Sequence, residues 1–162
     1  MKKLTIIFAL LLVVLSAQAA FAQNQNDREN LIKASRFLEE KPFDKNAKKI
    51  RAWALAWASE TKDVTVVVCG GTASPFLDKK VKFGSELLAQ YVIAMTAFKL
   101  ENPDKTNDEN AAQLAGMESA LRAYENMLKE NPKAKAEKID QLLAKKNSGE
   151  LTQYVADADC GK

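Results

Sequence analysis

The chain has 162 residues, 24 of them basic, 21 acidic and none histidine, for a formal net charge of +3. The absence of histidine excludes a Ser-His-Asp or Cys-His centre and every His-ligated zinc site, and two cysteines are too few for a four-thiolate zinc site within one chain. A charge so close to balance provides no general attraction to nucleic acid or to anionic lipid.

Residues 1–22 read as a secretory signal peptide. Lys2 and Lys3 form a positive start, residues 4–15 are almost continuously apolar, and Ala20-Phe21-Ala22 is a small-residue cleavage site. Ala17-Gln18-Ala19 offers a second cut. The apolar run is shorter than the roughly 20 residues of a spanning helix. No cysteine sits just after it, so the acceptor for lipid attachment at a lipoprotein signal is missing. Cleavage before Gln23 leaves residues 23–162 as one helical domain, long enough for a core and carrying 22 basic against 21 acidic residues. No later apolar run approaches 18 residues, so no membrane span is expected after signal removal. The expected location is periplasmic or secreted.

Residues 27–41 carry Leu31, Ala34 and Leu38 at helical spacing and stop before Pro42. Asp44 is placed to cap a second helix over residues 45–61, where Ile50, Trp53, Ala54 and Trp57 make one apolar face. Residues 63–69 read D-V-T-V-V-V-C. Their β-branched side chains favour an extended backbone, but no second run of that kind exists to pair with them. A buried extended segment or an irregular short helix is expected near 64–69, broken by Gly70-Gly71 and followed by a loop over residues 72–78.

Two long helices follow. The first starts at Asp78 or Ser85 and ends before Pro103, with Val81, Leu88, Tyr91, Met95 and Phe98 as its stripe. The second runs to about Asn131, with Thr106 as cap and Glu109 reaching back in a capping box. Its stripe is Leu114, Met117, Leu121, Tyr124 and Leu128. The short link predicts an antiparallel hairpin. Gly116, inside the second helix, costs about 1 kcal/mol against Ala, which close approach of a neighbouring helix would explain. A helix over residues 133–146 and a last short helix over 150–158, capped by Ser148, complete an all-α single-domain bundle of five to six helices.

Ala120, Tyr124, Met127 and Pro132 stand at the spacings of the second helix of a tetratricopeptide repeat, and Y-E-N-M-L-K-E-N-P resembles the end of such a helix. That similarity covers about 13 residues; no 34-residue period runs through the chain. The expected mature chain also resembles small secreted helical proteins of bacteria with no assigned function. Neither likeness implies site residues.

Cys69 and Cys160 are expected to form a disulfide, since an oxidising compartment favours pairing and two cysteines allow one intramolecular bridge. Glu86 and Glu118, on neighbouring helices, are the carboxylates from which a glycan hydrolase would be built. Asp157 and Asp159 lack a calcium-loop pattern. Glu39-Glu40 reads as a solvated helix end. Lys133, Lys135 and Lys138, with Lys145 and Lys146, crowd one helix; solvation accounts for such a face, and contact with an acidic partner or envelope polymer is the functional alternative. Trp53 and Trp57 are expected in the core, with an aromatic groove for peptide or lipid as the alternative.

No phosphate loop, dinucleotide fingerprint or G-x-S-x-G appears, so no cofactor and no metal are expected. The expectation is a non-enzymatic protein that binds another protein or an envelope component. An envelope hydrolase using paired carboxylates and a periplasmic immunity or inhibitor protein are the rivals.

Overall fold

A computed structural model of the chain describes residues 25–158 and 160. The expected signal peptide, its cleavage sites and Gln23 lie outside these residues, as does Asp159. The chain divides into a unit ending at Asn30, of which residues 25–30 are helical, and a unit from Leu31 onward that contains both hydrophobic cores. The described residues form an all-α bundle of seven helices without a strand.

The first helix, α1, covers residues 25–40 and buries Leu31, Ala34 and Leu38, as the spacing predicts. Helix α2 spans Ala47–Glu60. It begins two residues later than expected because Asp44 is used in the preceding turn. Its Oδ1 accepts from the Asn46 N–H at 2.8 Å and its carbonyl from the Ala47 N–H at 2.9 Å.

Ala47 and Ala54 are buried in a small core with Leu31, Leu38, Ile93 and Ala97, and Ile50 and Trp57 pack against it. Trp53 departs from the core expectation. It is 38% exposed and belongs to neither core. The buried line advances through 47, 50, 54 and 57, and residue 53 sits one step off it.

Residues 64–69 have no helix or turn, and Cys69 has extended dihedrals. The segment is not buried as expected, since Val67 and Val68 are 43% and 50% exposed. Only Val66 packs on the main core. Helix α3, Gly70–Ala73, and a 3-10 turn, Ser74–Leu77, replace the start of the expected loop.

Helix α4, Gly84–Glu101, starts after a pair of turns, so Val81 is buried from a turn and not from a helix. Gly84 is required there, because a Cβ would fall 2.1 Å from the Phe76 carbonyl oxygen. Helix α4 is buried on nearly every side. Leu87, Tyr91 and Met95 face the main core, while Ile93 and Ala97 face the smaller one, which makes it the central element.

Helix α5, Glu109–Glu130, packs antiparallel to α4: Gln90 meets Ser119 near one end, and Lys99 meets Glu109 at the other. The cap is Asp108, whose side chain accepts from the Ala111 N–H, and not Thr106. Glu109 is drawn away from a capping box by Lys99.

At Gly116 the two helices touch. An added Cβ would lie 2.6 Å from Met95 Cγ, 2.7 Å from the Tyr91 carbonyl oxygen and 2.9 Å from Tyr91 Cδ2. A helix-interior Gly→Ala change ordinarily gains about 1 kcal/mol. Here Gly116→Ala is expected to destabilise by about 1–3 kcal/mol, because a backbone atom of α4 must retreat. Urea unfolding of the mature chain checks the sign.

Past Asn131 the chain makes a 3-10 turn, Pro132–Ala134, and helix α6, Glu137–Ser148, starts four residues later than expected. Tyr124 sets this boundary. Its hydroxyl accepts from the Ala136 N–H at 2.9 Å and donates to Asp140 Oδ1 at 2.6 Å. Gly149, at φ +80°, closes α6 in the left-handed conformation. The last helix, α7, Leu151–Asp157, buries Leu151 and Val155. Glu150, not Ser148, occupies its cap position. Cys160, just beyond α7, is bridged to Cys69, with Cα atoms 5.5 Å apart.

Candidate functional site

One face each of α1, α4 and α5 encloses a groove of about 380 Å³. Ile32, Ser35, Arg36, Glu39 and Glu40 recur on α1 at i, i+3, i+4, i+7 and i+8, the face beside its apolar stripe. Helix α4 adds Ala94, Ala97, Phe98 and Glu101; α5 adds Ala115, Ser119 and Arg122. Small side chains form much of the floor, and charged ones form the rim.

Two of the three rim carboxylates, Glu39 and Glu101, are paired with arginines. Glu39 takes a two-pronged contact from Arg122, with Nε to Oε1 at 2.8 Å and Nη2 to Oε2 at 3.1 Å. Ser119 Oγ donates to the same carboxylate at 2.6 Å, and Asn126 Nδ2 donates to the Glu39 carbonyl at 2.9 Å. Glu118 approaches Arg122 at 3.6 Å. The Glu39 hydrogen bond raises the Arg122 pKa further above its ordinary value, against the opposing effect of burial. Arg36 pairs with Glu101 and leaves 70% of its side chain in solvent.

Beneath the groove, Gln90 is 2% exposed. Its Nε2 donates to the Ser35 carbonyl at 2.9 Å and to Ser119 Oγ at 2.8 Å. Its Oε1 has no partner among the described residues.

A second polar cluster lies under the extended segment. Lys99, with 1% of its side chain exposed, donates to the Thr65 carbonyl at 2.7 Å and to Glu109 Oε1 at 2.5 Å. Glu109 Oε2 is buried without a hydrogen-bond partner among the described residues. Gln113 Nε2 donates to the Val67 carbonyl at 2.6 Å, and Thr72 Oγ1 donates to Gln113 Oε1 at 2.8 Å. The Tyr91 hydroxyl completes the chain at 2.6 Å from Thr72 Oγ1. Burial pushes that hydroxyl up to about 12, partly offset by the Thr72 hydrogen bond.

The residues singled out from sequence fall elsewhere. Trp53 and Trp57 sit on α2 and do not line the groove. Lys133 and Lys135 are exposed at the turn before α6. Lys138 pairs with Asp78 at 2.6 Å beside a smaller cavity of about 290 Å³. The Lys138 contact, the stronger of two hydrogen bonds, holds the Asp78 carboxyl below its ordinary range.

Neither Glu86 nor Glu118 lines the groove. Ser85 Oγ donates to Glu86, and Glu118 faces Arg122. Asp157 accepts from Gln153 Nε2 at 2.6 Å. The groove carboxylates are Glu39 and Glu40 on α1 and Glu101 on α4, helices far apart in sequence. In sequence, Glu39-Glu40 reads only as a solvated helix end, with nothing to indicate the Arg122 partner.

Among the described residues no helix is long and apolar enough to cross a membrane. Compared with protein-family models, with curated proteins and with solved structures, the chain matches none.

Proposed function

We propose that the chain is exported through the signal peptide of residues 1–22 and acts in the periplasm or outside the cell as a non-enzymatic binding protein, with the groove between α1, α4 and α5 as its contact site. The observation that carries this reading is the paired rim. Arg36–Glu101 and Arg122–Glu39 present both signs of charge around a floor of small side chains, on rigid helices. Such a surface suits a ligand that offers polar groups of both kinds along a narrow apolar stem, as a peptide segment does. Glu39 and Glu101 are each engaged by an arginine, an arrangement suited to recognition.

The test uses protein recovered from the periplasm or medium, whose intact mass should begin at Gln23 or Ala20. Immobilised under non-reducing conditions, it is compared with Ala115→Trp in capturing partners from envelope extract. Ala115 is half-buried in the groove, so a large ring there fills the site. A partner held by the original chain and lost by the variant is the expected result. Equal capture by both places the contact elsewhere.

A further inference from the structure

The extended segment has one edge tied to the bundle and one edge open. The carbonyls of Thr65 and Val67 are held from inside by Lys99 and Gln113. In an extended strand the N–H and C=O of one residue point to the same edge, and the next residue points to the other. Val64, Val66 and Val68 therefore direct their backbone groups outward. None of these groups has a hydrogen-bond partner among the described residues. The surrounding side chains are those of a strand, not of a loop: residues 64–68 read V-T-V-V-V, all β-branched. Val67 is 43% exposed and Val68 50%, among the most exposed large apolar residues described.

We propose that this edge pairs antiparallel with the same edge of a second copy of the chain, about a two-fold axis at Val66. In that register Val66 faces Val66, Val64 faces Val68 and Thr65 faces Val67. The outward-pointing residues are the ones that become hydrogen-bonded pairs, giving roughly six interchain backbone bonds if each pair exchanges both groups. Every side-chain pair is β-branched against β-branched, which is favourable across strands. Just outside, Asp63 faces Cys69 and Lys62 faces Gly70, so no like charges meet.

This self-complementarity selects a second copy over a foreign strand, since an isologous contact requires a segment that matches itself. The inner contacts from Lys99 and Gln113 hold the strand in place before it pairs, and Cys69 anchors its end to Cys160. A two-stranded ladder is marginal by itself, so the dimer depends on concentration.

Sedimentation equilibrium of the unreduced mature protein tests the register. Thr65 and Val67 are both exposed, so charges there leave the bundle folded, and circular dichroism verifies this. Thr65→Lys with Val67→Lys sets like charges directly opposite each other and should abolish the dimer. Thr65→Lys with Val67→Glu sets opposite charges there and should retain it. A chain that stays monomeric at every concentration overturns the proposal. So does a dimer indifferent to both pairs of substitutions. A monomer whose edge instead captures a different protein, with Val67→Lys blocking capture, assigns the edge to a foreign strand and equally overturns it.

Discussion

Replacing both cysteines, as Cys69→Ser with Cys160→Ser, is expected to lower the unfolding free energy of the mature chain by up to about 4–5 kcal/mol. The bridge closes a loop across a sequence separation of 91. In the chain-entropy model a loop of that length restricts the unfolded ensemble by about this amount, and measured effects are often smaller. The folded end of the bridge adds a local reason. Helix α7 has only seven residues, too few to be stable alone. It is held by Leu151 and Val155 in the core and by the Tyr154 hydroxyl, which donates to the Gly71 carbonyl at 3.3 Å. Ala158 packs so closely on α3 that a Cβ on Gly71 would lie 3.0 Å from its own. Loss of the bridge should therefore loosen residues 151–160 first. Urea unfolding with and without reductant gives the magnitude, and hydrogen exchange locates the loosening. An unchanged midpoint with two free thiols in the unreduced protein would show that the bridge does not form.

The helical frame was legible because its stripes are local. Leu31, Ala34 and Leu38 need only their own spacing to identify a buried face, and so do Met117, Leu121 and Tyr124. The boundaries were less legible, because the group that sets each one sits elsewhere. Asp44 closes a turn, Lys99 takes Glu109, and Tyr124 holds the start of α6 through Ala136 and Asp140. The groove was not legible at all. Glu39 finds Arg122 across 83 residues, and Arg36 finds Glu101 across 65. Each reads in sequence as an ordinary solvated charge.

The segment at 64–68 misled in a different way. Its apolar composition implied burial, yet of its side chains only Val66 packs on the main core, and the Thr65 and Val67 carbonyls supply the hydrogen bonds to the bundle. The two polar side chains beneath it, Lys99 and Gln113, hold four valines and a threonine across the surface together with the Val66 contact. Both fall within helices whose periodicity describes apolar contacts and says nothing about a backbone segment crossing over them.

Lys99→Met is expected to destabilise the mature chain by about 3–5 kcal/mol, with the lower end favoured because Glu109 keeps 19% of its side chain in solvent. Methionine preserves most of the volume, so the cost is not a cavity. The substitution leaves the Glu109 carboxylate without its cation, when its Oε2 already has no hydrogen-bond partner among the described residues. It also releases the Thr65 carbonyl, which loses a 2.7 Å donor. Removing the carboxylate as well should restore much of the loss, since replacing both members of a buried ion pair by apolar groups is often close to neutral. Lys99→Met with Glu109→Met is therefore expected within about 1–2 kcal/mol of the original chain, the remainder being the unmet Thr65 carbonyl. The four urea midpoints of the cycle give the coupling directly. If the single and double variants are equally destabilised, with no coupling, then the Glu109 pair carries none of the cost, which then lies in the Thr65 contact and the packing of the Lys99 stem. Limited proteolysis separates the two contacts of the ammonium group. Cleavage within residues 64–68 should be faster in both Lys99 variants and unchanged in Glu109→Met, where Lys99 still holds the Thr65 carbonyl.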